Sequence, residues 1–253
     1  MAARTPDTAD TPDTAAQLPS VWTRPQRSRR EQPALSREQI VAEALALLDA
    51  DGFEALSMRK LGSRMGAGAT SLYTHVANKD ELLELVVDEA FGEIALPIDP
   101  APEDWRATML ELCREIRRIM LRHSWIPMTM ASAGLVYLGP NMLRLSEAML
   151  TILERAGFDD ESADRVLNAI FAYTIGTTST EAAALAAIAR SGLDEQLWFE
   201  RMIAAAETAA RPYPRVYRRY VGHAGRDAAR TREENFEHEL GLIMDGLNSR
   251  LRP

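Results

Sequence analysis

The chain has 253 residues, 46% of them hydrophobic and 26% charged, and its formal net charge is −8. Its longest uninterrupted apolar run, at residues 182–189, is far shorter than the roughly 20 residues that cross a membrane. This composition predicts a soluble globular protein with room for two packed cores, and it excludes a membrane-spanning protein.

The first 34 residues are rich in Thr, Pro, Asp, Gln and Arg and show no apolar periodicity. We therefore expect residues 1–34 to be a disordered arm. Its residues 22–30 form a basic cluster that stands just before the first predicted helix. Because Thr, Pro and Asp occupy the place of a signal peptide's apolar core, we expect no export and a cytoplasmic location.

The segment after the arm predicts three short helices. Ser36 is a candidate N-cap for a helix that ends near Ala50, and Ser57 is a candidate N-cap for the second. Residues 66–68 then interrupt the helix with glycines that tolerate positive φ, and residues 69–76 restart it. Two short helices joined by a tight glycine-containing turn form a helix-turn-helix, whose second helix lies in the major groove of DNA.

The third predicted helix separates an apolar face from a polar one. Leu72 and Val76 are expected to point inward, and Asn78 is expected to start a fourth helix in a capping box with Glu81. The outward residues are Thr70, Ser71, Tyr73, Thr74 and His75. A face of hydroxyls, one aromatic ring and one imidazole, without any acid, suits contacts with phosphates and base edges.

A spaced pattern of residues extends through this region. It consists of Gly66, Leu72, Tyr73, His75, Asn78, Lys79, Leu82 and Leu83. The pattern resembles the DNA-binding domain of the TetR family of bacterial regulators, and the likeness is collinear over residues 36–87. It implies a helix-turn-helix domain at residues 35–94 and a C-terminal ligand-binding and dimerisation domain at residues 103–253.

The resemblance also implies individual roles. The Tyr73 hydroxyl would reach a phosphate, and Arg59 would reach a base or a phosphate. Lys79 opposes the dipole at its helix start, which a nearby phosphate would explain. The candidate DNA-contacting residues are Arg59, Ala69, Thr70, Ser71, Tyr73, His75 and Lys79, with Arg24, Arg27, Arg29 and Arg30 of the arm.

The charge distribution agrees with DNA at the N-terminal end. Residues 21–79 hold nine Arg and Lys against six Asp and Glu, a local +3, whereas residues 80–253 hold 19 against 28, a local −9. The positive field is thus concentrated where DNA is expected. For the arm arginines two interpretations stay open: a solvated tail, or an arm that inserts arginine into an adjacent minor groove.

The remainder of the chain also predicts helices. Pro97, Pro100 and Pro102 mark a linker, and no strand pattern or repeat follows it. The predicted helices lie at residues 105–123, 127–131, 140–156, 160–189, 194–210, 216–221 and 231–251. The expected fold class is therefore all-α, with about nine to eleven helices.

Two features of this C-terminal part suggest assembly. The last helix carries an apolar stripe of Phe236, Leu240, Ile243, Leu247 and Leu251, and residues 176–180 are small. In TetR-like regulators two late helices from each subunit form a four-helix interface. The resemblance therefore implies that the protein pairs with itself as a homodimer.

A methionine-rich and aromatic set of residues is spread over several helices of this part. Each member is compatible with an ordinary core position, but together they suggest a pocket, because Met adapts to irregular ligands and helical bundles hold ligands between their helices. The candidate effector-binding residues are Trp125, Met128, Met142, Phe171, Thr174 and Thr178. The expected ligand is a small hydrophobic or aromatic molecule.

No pattern in the sequence indicates catalysis. The single cysteine, Cys113, excludes an internal disulfide and a multi-cysteine metal site, and the four histidines lack metal-ligand spacing. A phosphate loop, a serine elbow and a dinucleotide fingerprint are all missing. We therefore predict that the protein is not an enzyme and has neither a cofactor nor a metal.

These observations lead to one main hypothesis. The protein is expected to be a ligand-responsive repressor that binds a palindromic double-stranded DNA operator as a dimer and leaves it when a small apolar effector binds. Two alternatives stay open. One is a DNA-binding regulator that activates or needs no ligand, and the other is a helical small-molecule-binding module without DNA function.

Overall fold

The computed structural model describes residues 35–98, 101–132, 138–223 and 225–248. Within these ranges the chain forms α-helices and no strand, which confirms the predicted all-α class. The helices are α1 Arg37–Asp51, α2 Met58–Arg64, α3 Ala69–Leu72, α4 Lys79–Phe91, α5 Trp105–Arg122, α6 Ile126–Ser132, α7 Pro140–Arg155, α8 Asp160–Ser191, α9 Glu195–Ala210, α10 Pro214–Val221 and α11 Ala228–Asn248. The arm candidates Arg24, Arg27, Arg29 and Arg30 lie outside the described residues.

The predicted caps are present at the N-terminal helices. The Ser36 side chain accepts a hydrogen bond from the backbone N–H of Gln39, whose side chain accepts one from the backbone N–H of Ser36. The Asn78 side chain accepts from the N–H of Glu81 at 2.8 Å, as expected. The Glu81 carboxylate, however, accepts from the N–H of Ala77 and not from that of Asn78. The predicted capping box at α4 is therefore displaced by one residue.

The third helix is shorter than the sequence predicts. The regular α-helix ends at Leu72, and the chain continues to His75 as turns, in which the N–H groups of Thr74 and His75 donate to the carbonyls three residues earlier. One cause is that the Thr74 hydroxyl donates to the carbonyl of Ser71 at 2.7 Å and competes with helical bonding. Asn78 must also adopt an extended backbone, with φ −157°, before α4 can begin.

The C-terminal body is built around the long helix α8. It packs against α5, α7 and α11, while α10 packs on α9 at the edge of the body. The buried apolar side chains of the N-terminal head, helices α1 to α4, and of the body, helices α5 to α11, form one continuous core, with α4 contributing to both. Among the described helices, none is both long and apolar enough to cross a membrane.

The stripe on α11 has a different role from the one expected. Phe236 and Leu240 are fully buried within the chain, and Phe236 packs against Tyr173 of α8. Ile243 and Leu247 are only partly buried, and Leu251 lies outside the described residues. The prediction that the whole stripe faces a partner was therefore wrong, because its first half completes the core of its own subunit. Leu242, 58% exposed, lies on the outer face instead.

Candidate DNA-binding face and its joint to the helical body

The turn between α2 and α3 depends on two glycines. Gly66 has φ +65°, a conformation that side chains other than glycine rarely adopt. A Cβ on Gly62 would lie 2.8 Å from the carbonyl oxygen of Ala67, because the N–H of Ala67 donates to the carbonyl of Gly62. The sequence predicted the first requirement but not the second, which arises from close approach.

The α3 region presents the polar face that the sequence predicts. Leu72 and Val76 are fully buried, so they fix which side of the segment points outward. Tyr73 is 51% exposed, and Thr70, Ser71 and Thr74 are exposed beside it. Ala69 and His75 are half-buried at the margins. The structure thus brings the candidate residues of α3 together on one surface.

The basic residues of α2 differ in their availability. Lys60 pairs with Asp51 at 2.8 Å, and its hydrogen bond lowers the pKa of the Asp51 carboxyl. Arg64 pairs with Glu43. Arg59 is exposed and forms no ion pair within the described ranges. Its guanidinium is therefore the α2 cation best placed to contact a base or a phosphate.

Lys79 has a neighbour that the sequence did not predict. Its Nζ lies 4.7 Å from the centre of the Phe53 ring, a cation–π contact that holds the side chain at the start of α4. Phe53 belongs to a short 3₁₀ turn, Phe53–Ala55, after α1. Because the α4 dipole disfavours a cation there, this ring compensates part of the cost.

A polar cluster joins α1 of the head to the body. The carboxylate of Asp49 accepts a hydrogen bond from the indole N–H of Trp125 at 2.7 Å, and His123 Nδ1 lies 2.7 Å from the same oxygen. His123 Nε2 lies 3.3 Å from a carboxylate oxygen of Glu93, just after α4. His123 is fully buried and Trp125 is nearly so. We call Asp49, Glu93, His123 and Trp125 the interdomain cluster.

A second contact ties α4 to α7. The Asp88 carboxylate accepts hydrogen bonds from the backbone N–H groups of Asn141 and Met142, each at 3.0 Å. Asp88 therefore caps α7 from another helix, in place of Gly139, the N-cap residue that has no side chain. Burial raises the pKa of Asp88, against the opposing effect of these hydrogen bonds. A Cβ on Gly139 would overlap the carboxylate.

The six candidate effector residues are not gathered in one place. Trp125 belongs to the interdomain cluster, and Met142 is buried where Asp88 caps α7. Met128 is 55% exposed on α6. Phe171 is half-buried on α8, whereas Thr174 and Thr178 are fully buried one turn apart on the same helix.

Two further polar groups of the body, Asp159 and Cys113, occupy structural positions. Asp159 caps α8 through the N–H of Ser162, and burial raises the pKa of the Cys113 thiol to about 12. Within the part of the chain that the structure describes, no cluster of three or more His, Cys, Asp or Glu side chains is arranged to hold a metal ion.

Two family models match the chain. One, described as bacterial regulatory proteins, tetR family, matches residues 40–86. The other, described as the tetracyclin repressor-like C-terminal domain, matches residues 96–251.

Relatives and a solved structure agree with both models. An HTH-type transcriptional regulator of Saccharopolyspora erythraea is 41% identical over 162 residues, which cover 64% of this chain and 67% of that protein. The HTH-type transcriptional repressor DrrR1 of Streptomyces coeruleorubidus is 31% identical over 194 residues, or 76% of this chain and 71% of that one. The Streptomyces coelicolor TetR family protein ActR, in complex with actinorhodin, has a TM-score of 0.72 and 29% identity, covering 87% of this chain and 99% of ActR.

Proposed function

This chain belongs to the TetR family of bacterial transcriptional regulators, and from that premise we propose that it is a homodimeric, effector-released repressor. It is a DNA-binding regulator, as its named relatives are. The repressor acts in the cytoplasm, where its operator is, and it catalyses no reaction.

The observation that carries the DNA-binding part is the exposed polar face of α3, together with the exposed guanidinium of Arg59 on the neighbouring helix α2. Tyr73 and Lys79 would bind phosphates and so contribute affinity without sequence preference. Arg59, Ala69 and Thr70 would lie against base edges, where a guanidinium reads guanine and an alanine offers an apolar contact to a thymine methyl. Ser71 and His75 complete the surface.

Dimerisation supports a near-palindromic operator. A two-fold dimer presents the same reading surface twice, so its target repeats about one helical turn apart with inverted symmetry. The outer face of α8 is made of small exposed residues, Ala172, Gly176, Thr180 and Ala183, which permit close approach of a second helix. Leu242 of α11 supplies an exposed apolar side chain for the same interface.

The effector would be a small hydrophobic or aromatic molecule held in the body. ActR was solved with actinorhodin, which supports the general idea of an organic ligand in this fold. Met128, Met142 and Phe171 remain candidate apolar contacts. Trp125 would respond indirectly, because its hydrogen bond to Asp49 connects the body to the head.

Release of DNA would pass through α4. Its C-terminal half caps α7 through Asp88, and Glu93 just beyond it contacts His123. Any shift of α7 or α5 on effector binding therefore displaces α4 and changes the distance between the two reading surfaces of the dimer. By linkage, the effector must bind the free protein more tightly than the operator complex, by the factor by which it weakens DNA binding.

The experiment measures that linkage directly. Compounds handled by the products of neighbouring genes are titrated into the full-length protein with and without operator DNA, and heats of binding are recorded. We expect an effector that binds the free protein at least tenfold more tightly. An effector with equal affinity in both titrations would refute release by the proposed route.

A further inference from the structure

A polar seam lies inside the body between α5 and α8. Thr174, Thr178 and Glu181 follow one another on α8 at spacings of four and three residues, so they share one face. All three are buried. On α5, Cys113 lies against the Thr174 hydroxyl, and Arg117 binds Glu181 through two hydrogen bonds of 2.8 and 2.9 Å.

The two threonine hydroxyls of this seam are unusual for the helix that carries them. Ser179 and Thr180, in the same stretch, donate their hydroxyls to the carbonyls four residues earlier. Thr174 and Thr178 do not. Among the described residues the Thr178 hydroxyl has no hydrogen-bond partner, and the Thr174 hydroxyl has only its weak contact with the Cys113 thiol. A buried hydroxyl without a strong partner costs free energy, so its retention at two successive turns requires a reason.

The charged groups beside the hydroxyls carry a net negative charge. Arg117 also donates to Glu233 at 2.7 Å, and Arg232 binds both Glu181 and Glu195. Two guanidinium groups thus face three carboxylates. A ligand anion would add to an existing negative surplus, whereas a neutral oxygen would meet only hydroxyl donors.

We propose that the Thr174 and Thr178 hydroxyls form the polar part of the effector site and select an uncharged carbonyl oxygen on an apolar ring system. The assignment rests on the proposed effector site in the body and specifies its ligand as a neutral aromatic ketone or quinone. Because one helical turn rises about 5.4 Å, oxygens along one edge of such a ligand can engage both hydroxyls.

Three probes that share one ring system test whether the site selects a neutral ketone. Binding of 9-fluorenone, its hydrocarbon fluorene and the anion 9-fluorenone-4-carboxylate to the full-length protein is followed by quenching of tryptophan fluorescence. We expect 9-fluorenone to bind more tightly than both other probes. The Thr178→Val variant should lose roughly three- to tenfold in 9-fluorenone affinity and none in fluorene affinity, as expected for one hydrogen bond.

Thr208→Val, on α9, is the matched control, since that hydroxyl is exposed and bonded within its own helix. It should leave all three affinities unchanged. In the absence of probe, Thr178→Val should melt at a higher temperature than the wild type, because it removes an unpaired buried hydroxyl, and Thr208→Val should not.

The inference is overturned if 9-fluorenone fails to bind, if it shows no preference over fluorene, or if Thr178→Val leaves that preference intact. Operator binding by the same variants is measured separately. A protein without operator affinity would refute the proposed function, while the ratio of probe affinities would still decide the chemistry of the seam.

Discussion

The indole N–H of Trp125, in the body, donates a hydrogen bond of 2.7 Å to the carboxylate of Asp49, in the DNA-binding head. The same oxygen lies 2.7 Å from His123 Nδ1. One carboxylate therefore connects α1 to the segment that links α5 with α6. Because both partners are buried, a movement of that segment must either carry α1 with it or break these bonds.

We expect mutations in the interdomain cluster to affect both the stability of the protein and the influence of effector on operator affinity. Trp125→Phe removes one hydrogen bond to a carboxylate, and Asp49→Ala removes its acceptor, at about 1.5–3 kcal/mol of stability each. Both should reduce the effect of effector on operator affinity. The double variant should resemble Asp49→Ala, because loss of that carboxylate already breaks the contact with Trp125 as well as the one with His123. Thermal unfolding and operator titrations with and without effector provide the measurement.

The same variants distinguish a Trp125 that contacts the effector from one that only couples the body to the head. If Trp125→Phe weakens effector binding to the free protein while Asp49→Ala does not, Trp125 lines the effector site and the coupling role fails.

Because Asp88 caps α7 in the space beside Gly139, we expect substitution of this glycine to lower the free energy of unfolding. Gly139→Ala places a Cβ against the Asp88 carboxylate and should cost about 1–3 kcal/mol of unfolding free energy, typical of overpacking. Gly222→Ala is the control, since its Cβ would meet only ordinary contacts of 3.4 Å and beyond. Denaturant titrations compare the two. Equal stability of both variants would show that α7 does not depend on this cap.

We expect substitutions in the DNA-binding face to have two kinds of effect, one on affinity for all sequences and one on sequence preference. Tyr73→Phe and Lys79→Ala should weaken binding to every sequence alike, because phosphate contacts carry affinity. Arg59→Ala should relax preference at one base pair per half-site, by about 1–3 kcal/mol if it binds guanine with two hydrogen bonds. Gel-shift titrations on operator variants measure both effects. Tyr217→Phe, on α10, is the control, and wild-type binding by all three head variants would reject the assignment.

The features that could be predicted from the sequence are those that depend on residues close together in the chain. The caps at Ser36, Ser57 and Asn78 and the inward positions of Leu72 and Val76 depend on residues within four positions, and the structure has them. The links made by Asp49 and Asp88 join residues 53 to 76 positions apart, which periodicity and spacing do not record.

The apolar stripe of α11 shows the same limit of prediction from the sequence. An apolar face predicts burial but not which surface covers it, and Phe236 and Leu240 are covered by their own subunit. The exposed residues of the two late helices now give the better test of dimerisation.

Leu242→Glu should abolish the homodimer without unfolding the subunit, because Leu242 is exposed within one chain and would be buried between two. Leu143→Glu, at a comparably exposed position on α7, should leave the dimer intact. Light scattering gives the mass, and circular dichroism checks the fold. A wild-type protein with the mass of one 28.1 kDa chain at DNA-binding concentrations would contradict the dimer.

Contacts between the N-terminal arm and DNA would increase the salt dependence of operator binding. If two to four of Arg24, Arg27, Arg29 and Arg30 in each subunit contact DNA, deletion of residues 1–30 should flatten the slope of log affinity against log salt. Each phosphate that the arm neutralises accounts for about 0.9 of that slope. The weakening should be larger where A·T-rich sequence flanks the operator, since a narrow minor groove attracts arginine. An unchanged slope would leave the arm as a solvated tail.

The most direct measurement selects DNA from the genome that encodes the protein. Full-length protein is mixed with genomic fragments, the bound fraction is sequenced, and the enriched site is footprinted. We expect one near-palindromic sequence with half-sites about one helical turn apart, occupied by paired subunits and no longer bound when Tyr73 and Lys79 are replaced together. Enrichment of no sequence, or of an asymmetric site held by a single subunit, would contradict it.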